Sequence, residues 1–195
     1  DYDNEKPYVH LDRDLNKKFK KEFYSKYDIK SQNKLILLNT GCGPVYPHKK
    51  WTIDGYKKLV KYLLKDKDNI IILSGSSSES DRNNEINNST NSNRVIDTTS
   101  LYSIENFCSL IDLSDIVITG DTVALHVAIS LNKKIVSFFG PTPHQEVNLF
   151  GLGKKLVRTE LDCLNCYDQF PCPYDGKCMS LISPKDVINS IKELL

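Results

Sequence analysis

The stretch DIVITGDTVALHVA, residues 115–128, runs an apolar segment through one glycine into a second apolar segment that carries an Asp, a Thr and a His at its start. Residues 115–119 are rich in β-branched side chains and read as a strand, and the positions beyond Gly120 take up helical spacing. Asp121 stands where that helix opens, and an aspartate there can cap it by accepting from backbone amides one turn in, worth about 1 kcal/mol. If Ala124 marks one face of the helix, Val127, Ala128 and Leu131 share it, while Thr122, His126 and Ile129 fall on the other side. Thr122 and His126 are then stacked one turn apart at a helix end whose free N–H groups and dipole suit a phosphate. A core histidine satisfied by a backbone carbonyl is the plain alternative for His126.

Short strand patterns alternate with helical ones on both sides of this unit. The strands are expected at 35–39, 70–74, 94–97, 115–119, 134–139 and 155–159, with helices at 53–65, 79–88, 103–113, 122–131 and 185–194. Several of the strands are apolar throughout, as strands covered on both faces must be, and the alternation predicts an α/β, Rossmann-like three-layer domain with a mainly parallel sheet. The polar stretch at 75–93 spans two strand patterns at the length of a crossover and is read as a short, poorly buried helix. Ser183 before Pro184 caps the closing helix. Residues 1–33 form a helical lead-in, in which Leu15, Phe19 and Phe23 make an apolar stripe beside a lysine-rich face, and residues 34–195 form the domain, with a Cys-rich loop at 160–180.

The composition narrows the partners. In 195 residues, 26 Lys and Arg stand against 25 Asp and Glu, a net charge of +1, so no global field points to nucleic acid or a membrane surface. No apolar run approaches the ~18 residues of a membrane span. The chain opens on Asp without a leader pattern, and the expectation is a soluble, cytoplasmic piece of a longer protein. The glycine fingerprints of dinucleotide and P-loop folds, the G-x-S-x-G elbow and H-E-x-x-H are all missing. What remains is a doubly wound sheet whose ligand lies outside the carboxyl ends of its strands.

Two further strand ends carry charge. After the first, a loop with two glycines and two prolines brings Lys49 and Lys50 to Trp51, and Thr52 caps the next helix. Lys49 is the cation that could offset Asp121 and reach a diphosphate, or else a solvated surface lysine. After the second strand, Glu79 either complements a helix dipole or accepts from ribose hydroxyls and a base.

Taken in order, K-x-W (Lys49, Trp51), G-x-x-x-E (Gly75, Glu79), T-S-L at 99–101, D-T-x-x-x-H-x-A from Asp121 and F-G-P-T at 139–142 resemble glycosyltransferase family 9, the lipopolysaccharide heptosyltransferases, as does the tail ending in C-M-x-x-I. The resemblance implies the C-terminal half of a two-domain B-type glycosyltransferase. It assigns Lys49, Asp121, Thr122, Ala124 and His126 to the diphosphate and sugar of a nucleotide-sugar donor, and Glu79 to its nucleoside. It further implies inverting transfer without a metal or other cofactor, with heptose from ADP-heptose as the family expectation. The general base and the glycan or lipid-linked glycan acceptor would belong to a first domain, so no catalytic residue is assigned here. Val123 stands where the family has Gly, which keeps a degenerate, non-catalytic nucleotide-sugar-binding or interaction module as the alternative. Cys163, Cys166, Cys172 and Cys178 permit a tetrathiolate zinc site, disulfides or reduced packing thiols, and no metal ligand is assigned.

Overall fold

A computed structural model describes residues 5–43, 46–167 and 172–195. In chain order the elements are α1 (Arg13–Lys26), β1 (Lys34–Asn39), α2 (Ile53–Leu63), β2 (Asn69–Ser74), α3 (Ser80–Asn88), β3 (Val95–Asp97), α4 (Ile104–Leu113), β4 (Ile116–Gly120), α5 (Val123–Ser130), β5 (Lys134–Phe138), β6 (Gly153–Leu156), α6 (Lys177–Ser180) and α7 (Pro184–Leu194). The six strands form one parallel sheet in the order β3-β2-β1-β4-β5-β6. The chain works outward from β1 to one edge, then returns to β4 and works outward to the other. The switch of direction lies between β1 and β4.

Alternation along β1 divides the interior. Leu35 and Leu37 face a core shared with Phe19, Phe23, Leu110, Ile111, Leu125 and Ala128, from α1, α4 and α5. Ile36 and Leu38 face the opposite core, with Trp51, Tyr56, Leu59, Ile86 and Val187, fed by α2, α3 and α7. Both faces being covered explains why the strands read as continuous apolar runs. Thr52 caps α2 by accepting from Gly55 N at 3.0 Å, and Ser183 caps α7 by accepting from Asp186 N at 3.2 Å, both as the sequence predicts.

Three local expectations are corrected. Leu15 stays exposed while Phe19 and Phe23 bury, because the first turn of α1 meets α4 through Asn16 Nδ2, which donates to Asp112 Oδ2 at 2.7 Å. Ile129 is fully buried, because α5 is enclosed nearly all round and only Val123 and His126 stand clear of it. The edge strand β6 begins at Gly153 instead of 155: a Cβ there would lie 1.9 Å from the Ile135 carbonyl oxygen, so only glycine allows the pairing.

Trp51 locks the loop after β1 to the far end of the chain. Its ring packs against Tyr56 and Phe138 with centroids 4.8 and 4.9 Å away, and its Nε1 donates to the Ile182 carbonyl at 2.9 Å. Trp51→Ala is expected to cost about 3–5 kcal/mol of stability. Because this is the chain's single tryptophan, the measurement is urea unfolding followed by circular dichroism; a loss below about 1 kcal/mol would show that the ring is not a core member.

Candidate functional site

The carboxyl ends of β1, β2, β3 and β4 open into a cleft of about 640 Å³ at the switch point between β1 and β4. This is where an open parallel sheet leaves its strand-to-helix loops diverging, free to take a ligand. One wall is polar, with Asn39, Lys49, Ser76, Glu79, Asp121 and Thr122; the other is apolar, with Tyr102, Ile104 and Phe107 before and within α4.

Lys49 ends a short 3-10 turn begun by Pro47, and its Nζ donates to Asp121 Oδ2 at 3.0 Å. With 13% and 17% of the two side chains exposed, the pair is shielded enough to be weakly screened by salt. The Lys49 amine therefore does not lie in bulk solvent. Asp121 does not cap α5, against the plain reading of its position; the N-cap is Thr122, and no side chain caps the helix. The carboxylate instead turns to Lys49 and to His126, whose Nε2 is 3.7 Å from Oδ1. The His126 imidazole, the Lys49 ammonium and the Thr142 hydroxyl together hold the Asp121 carboxyl well below the usual carboxylate range, against the opposing effect of its burial.

The neighbouring lysine points the other way. Lys50 Nζ lies 2.9 Å from Glu79 Oε1, and Glu79 is almost wholly buried. Glu79 Oε2 accepts from Ser76 N at 3.0 Å and Ser76 Oγ at 2.7 Å, and Oε1 accepts from Ser78 Oγ at 2.9 Å. Burial alone would raise this carboxyl; Ser76, Lys50 and Ser78 outweigh it and leave it below its ordinary value. The side chain occupies room left by two glycines: a Cβ on Gly41 would meet Glu79 Cδ at 2.4 Å, and one on Gly75 would meet Glu79 Cβ at 2.8 Å.

Between the two pairs, Asn39 fastens β1 to β4. Its Nδ2 donates to Thr119 Oγ1 at 3.2 Å and lies 3.3 Å from Thr122 Oγ1. Thr122 is thereby fixed at the lip of the cleft, with Val123 and Ala124 beside it. His126 is half exposed, not buried in the interior, yet it does not line the cleft: its ring borders a second groove with Gln145, Glu146 and Asn148. So the structure brings Lys49, Glu79, Asp121, Thr122 and Ala124 to one cavity, and reaches His126 only through Asp121.

Lys50, Asn39 and Arg82 have structural parts that sequence reasoning did not assign. Arg82, largely buried, donates to the Trp51 carbonyl and sits over the Tyr56 ring at 5.4 Å, tying α3 to the loop of Lys49. No local spacing announces such cross-strand partners. The polar wall thus joins an ammonium, uncapped helix amides and hydroxyls, a set suited to an anionic group flanked by hydroxyl-bearing parts. Among the described residues no helix is long and apolar enough to cross a membrane.

The family model described as glycosyltransferase family 9 (heptosyltransferase) matches residues 1–175. A lipooligosaccharide heptosyltransferase 2 of Campylobacter jejuni subsp. jejuni serotype O:6 is 28% identical over 186 residues, covering 93% of this chain and 58% of that protein. The chain therefore spans little more than half the length of the curated relatives it matches. Among solved structures, ADP-heptose lps heptosyltransferase II of E. coli superposes with a TM-score of 0.75 at 18% identity, covering 96% of this chain and 53% of that one. The glycosyl transferase family 9 structure from Veillonella parvula DSM 2008 superposes with a TM-score of 0.76 at 18% identity and the same coverage, and at such identities the likeness speaks for the fold. The ordered strand-end motifs, the switch-point cleft and a family match over most of the chain make this protein a member of glycosyltransferase family 9, the heptosyltransferases.

Proposed function

We propose that the chain is the donor-binding half of an inverting, metal-independent glycosyltransferase that uses a nucleoside-diphosphate sugar, with ADP-heptose and a lipopolysaccharide-type acceptor as the family expectation. The observation that carries this reading is the meeting of Lys49 with the uncapped opening of α5 on one polar wall, opposite an apolar wall of Tyr102, Ile104 and Phe107. The diphosphate lies along the first turn of α5, with the Ala124 amide among its donors and Lys49 as point charge. The base rests against Tyr102, Ile104 and Phe107, and the ribose approaches Glu79. All four Glu79 acceptor directions are already used, so a ribose hydroxyl there takes the place of the Ser78 hydroxyl.

In the transfer, the bond from the anomeric carbon to the diphosphate oxygen breaks and its electron pair stays on the diphosphate. Lys49 and the α5 amides meet that developing charge, preorganised before it appears. The acceptor hydroxyl attacks from the opposite face and inverts the centre. Its proton goes to a base on the facing domain that the resemblance implies. Asp121, released from Lys49, takes donor hydroxyls, while His126 holds the carboxylate in place from behind. A second reading, a binding module without turnover, draws on Val123, which is 60% exposed at the lip where donor backbone contacts would form.

The test is calorimetry of nucleoside diphosphates and their sugars on this chain. Weak binding without transfer is expected, with Lys49→Ala lowering diphosphate affinity at least tenfold, about 1.4 kcal/mol. Binding that is undetectable, or unchanged in Lys49→Ala, rejects the donor-site reading.

Asp121 gives a second expectation. Because its folded-state value lies below the unfolded one, its stabilisation is present above the ordinary carboxylate range and fades as pH falls through that range toward the folded value. Asp121→Asn is therefore expected to be less stable than the parent at neutral pH. The gap in urea midpoint should narrow steadily as pH falls below about 5. A gap that is constant with pH would show that the carboxylate's charge is not what matters.

A further inference from the structure

A second groove of about 640 Å³ runs beside α5, outside the cleft. It joins His126 and Ile129 of that helix to Gln145, Glu146, Asn148 and Phe150 of the loop after β5. We propose that this groove seats a neutral, hydroxyl-rich sugar ring of the acceptor, so that the acceptor is held by this domain as well as by the one facing it. The inference rests on the donor-site reading and adds the acceptor's side to it.

Asp121 stands where the two cavities meet. Its Oδ2 accepts from Lys49 Nζ at 3.0 Å within the cleft, while its Oδ1 lies 3.7 Å from Nε2 of His126, whose ring borders the groove. In an inverting displacement the entering oxygen approaches from the face opposite the departing one. With the diphosphate held by Lys49 and the opening of α5, the His126 side of Asp121 is the side left for an acceptor. The loop after β5 makes the same link along the chain: the Thr142 hydroxyl acts on the Asp121 carboxylate, and Gln145, within the same loop, already lines the groove.

The lining has the chemistry of a polyol site. Gln145 and Asn148 carry amide groups that both donate and accept, and Glu146 accepts, a set that matches neighbouring hydroxyls, each of which does both. Phe150 and Ile129 add apolar surface for the C–H face of a ring. The walls are fixed in place. Phe150 takes a left-handed φ of 50°, and its N–H donates to Asn148 Oδ1 at 2.8 Å. Tyr167 Oη donates to Glu146 Oε1 at 2.8 Å, and Lys155 Nζ donates to the His144 carbonyl at 2.6 Å. On the far side Val9 N donates to Ser130 Oγ at 2.6 Å, which holds the segment carrying Glu5 and Pro7 against α5. A site already shaped loses less entropy on binding. Its charge selects the ligand class: Glu5 and Glu146 outnumber the Lys155 ammonium, which disfavours a phosphate or an acidic sugar and leaves a neutral one.

The experiment is heteronuclear NMR of the isotope-labelled chain, titrated with methyl glycosides of glucose, galactose and a heptose, first alone and then with ADP present. Shifts at the amides of His126, Gln145 and Asn148 are expected with at least one glycoside, saturating in the millimolar range without nucleotide. Gln145→Ala should weaken that binding roughly threefold, as the loss of one hydrogen bond does. Gln145→Trp, which fills the groove, should abolish it, and both variants should keep the folded spectrum and the parent's ADP affinity. The proposal is overturned if none of the three glycosides moves those amides, if the shifts survive Gln145→Trp, or if inorganic phosphate moves them at lower concentration than any glycoside. Groove shifts that persist in a chain that does not bind ADP count against the donor-site reading instead.

Discussion

Lys49 and Lys50 leave the same short turn in opposite directions, one to Asp121 at the end of β4 and the other to Glu79 beyond β2. Those two ion pairs fix the loop after β1 across the point where the sheet changes direction. The loop would otherwise be a glycine- and proline-rich connection between strand and helix. Held at both sides by partly buried charge, the turn at 47–50 is set at the edge of the cleft that Lys49 lines. Trp51, packed between Tyr56 and Phe138, anchors the next residue in the core and so holds the backbone from which both lysines reach their partners.

The arrangement also answers how a carboxylate comes to stand beside a helix opening that suits anions. Asp121 is neutralised by Lys49, with the His126 ring 3.7 Å away on its other side, and it leaves the helix amides uncapped. The Lys49 ammonium has its counter-ion within the protein. An anion entering must compete with that carboxylate, so a lone small anion gains less here than a ligand that also offers hydroxyls for Asp121 to accept from and a planar group for the apolar wall.

The architecture was legible because a parallel sheet covered on both faces leaves continuous apolar runs, and because caps such as Thr52 and Ser183 are local chemistry. Errors arose where the deciding contact was distant in sequence. Leu15 has the spacing of a buried residue, yet Asn16 makes the contact to α4. Ile129 lies on the polar side of a helical wheel, yet α5 is enclosed on that side too. The opening of β6 depends on the Ile135 carbonyl oxygen that leaves no room for a side chain at Gly153. At the candidate site, charge at strand ends pointed to Lys49, Glu79 and Asp121. Which lysine meets which carboxylate, and that His126 stands outside the cleft, depends on the three-dimensional crossing of loops that no spacing encodes.

Glu79 occupies space that exists only because residues 41 and 75 lack side chains. The three positions therefore cannot drift independently. A methyl group gained at Gly41 meets the carboxyl carbon of Glu79, and one gained at Gly75 meets its Cβ, so either glycine can change only after Glu79 has been shortened or turned aside. Shortening it strands Lys50 without its counter-charge. Any lineage that remodels this corner must pass through an intermediate with either a crowded acid or an orphaned base, a steep path for neutral substitution.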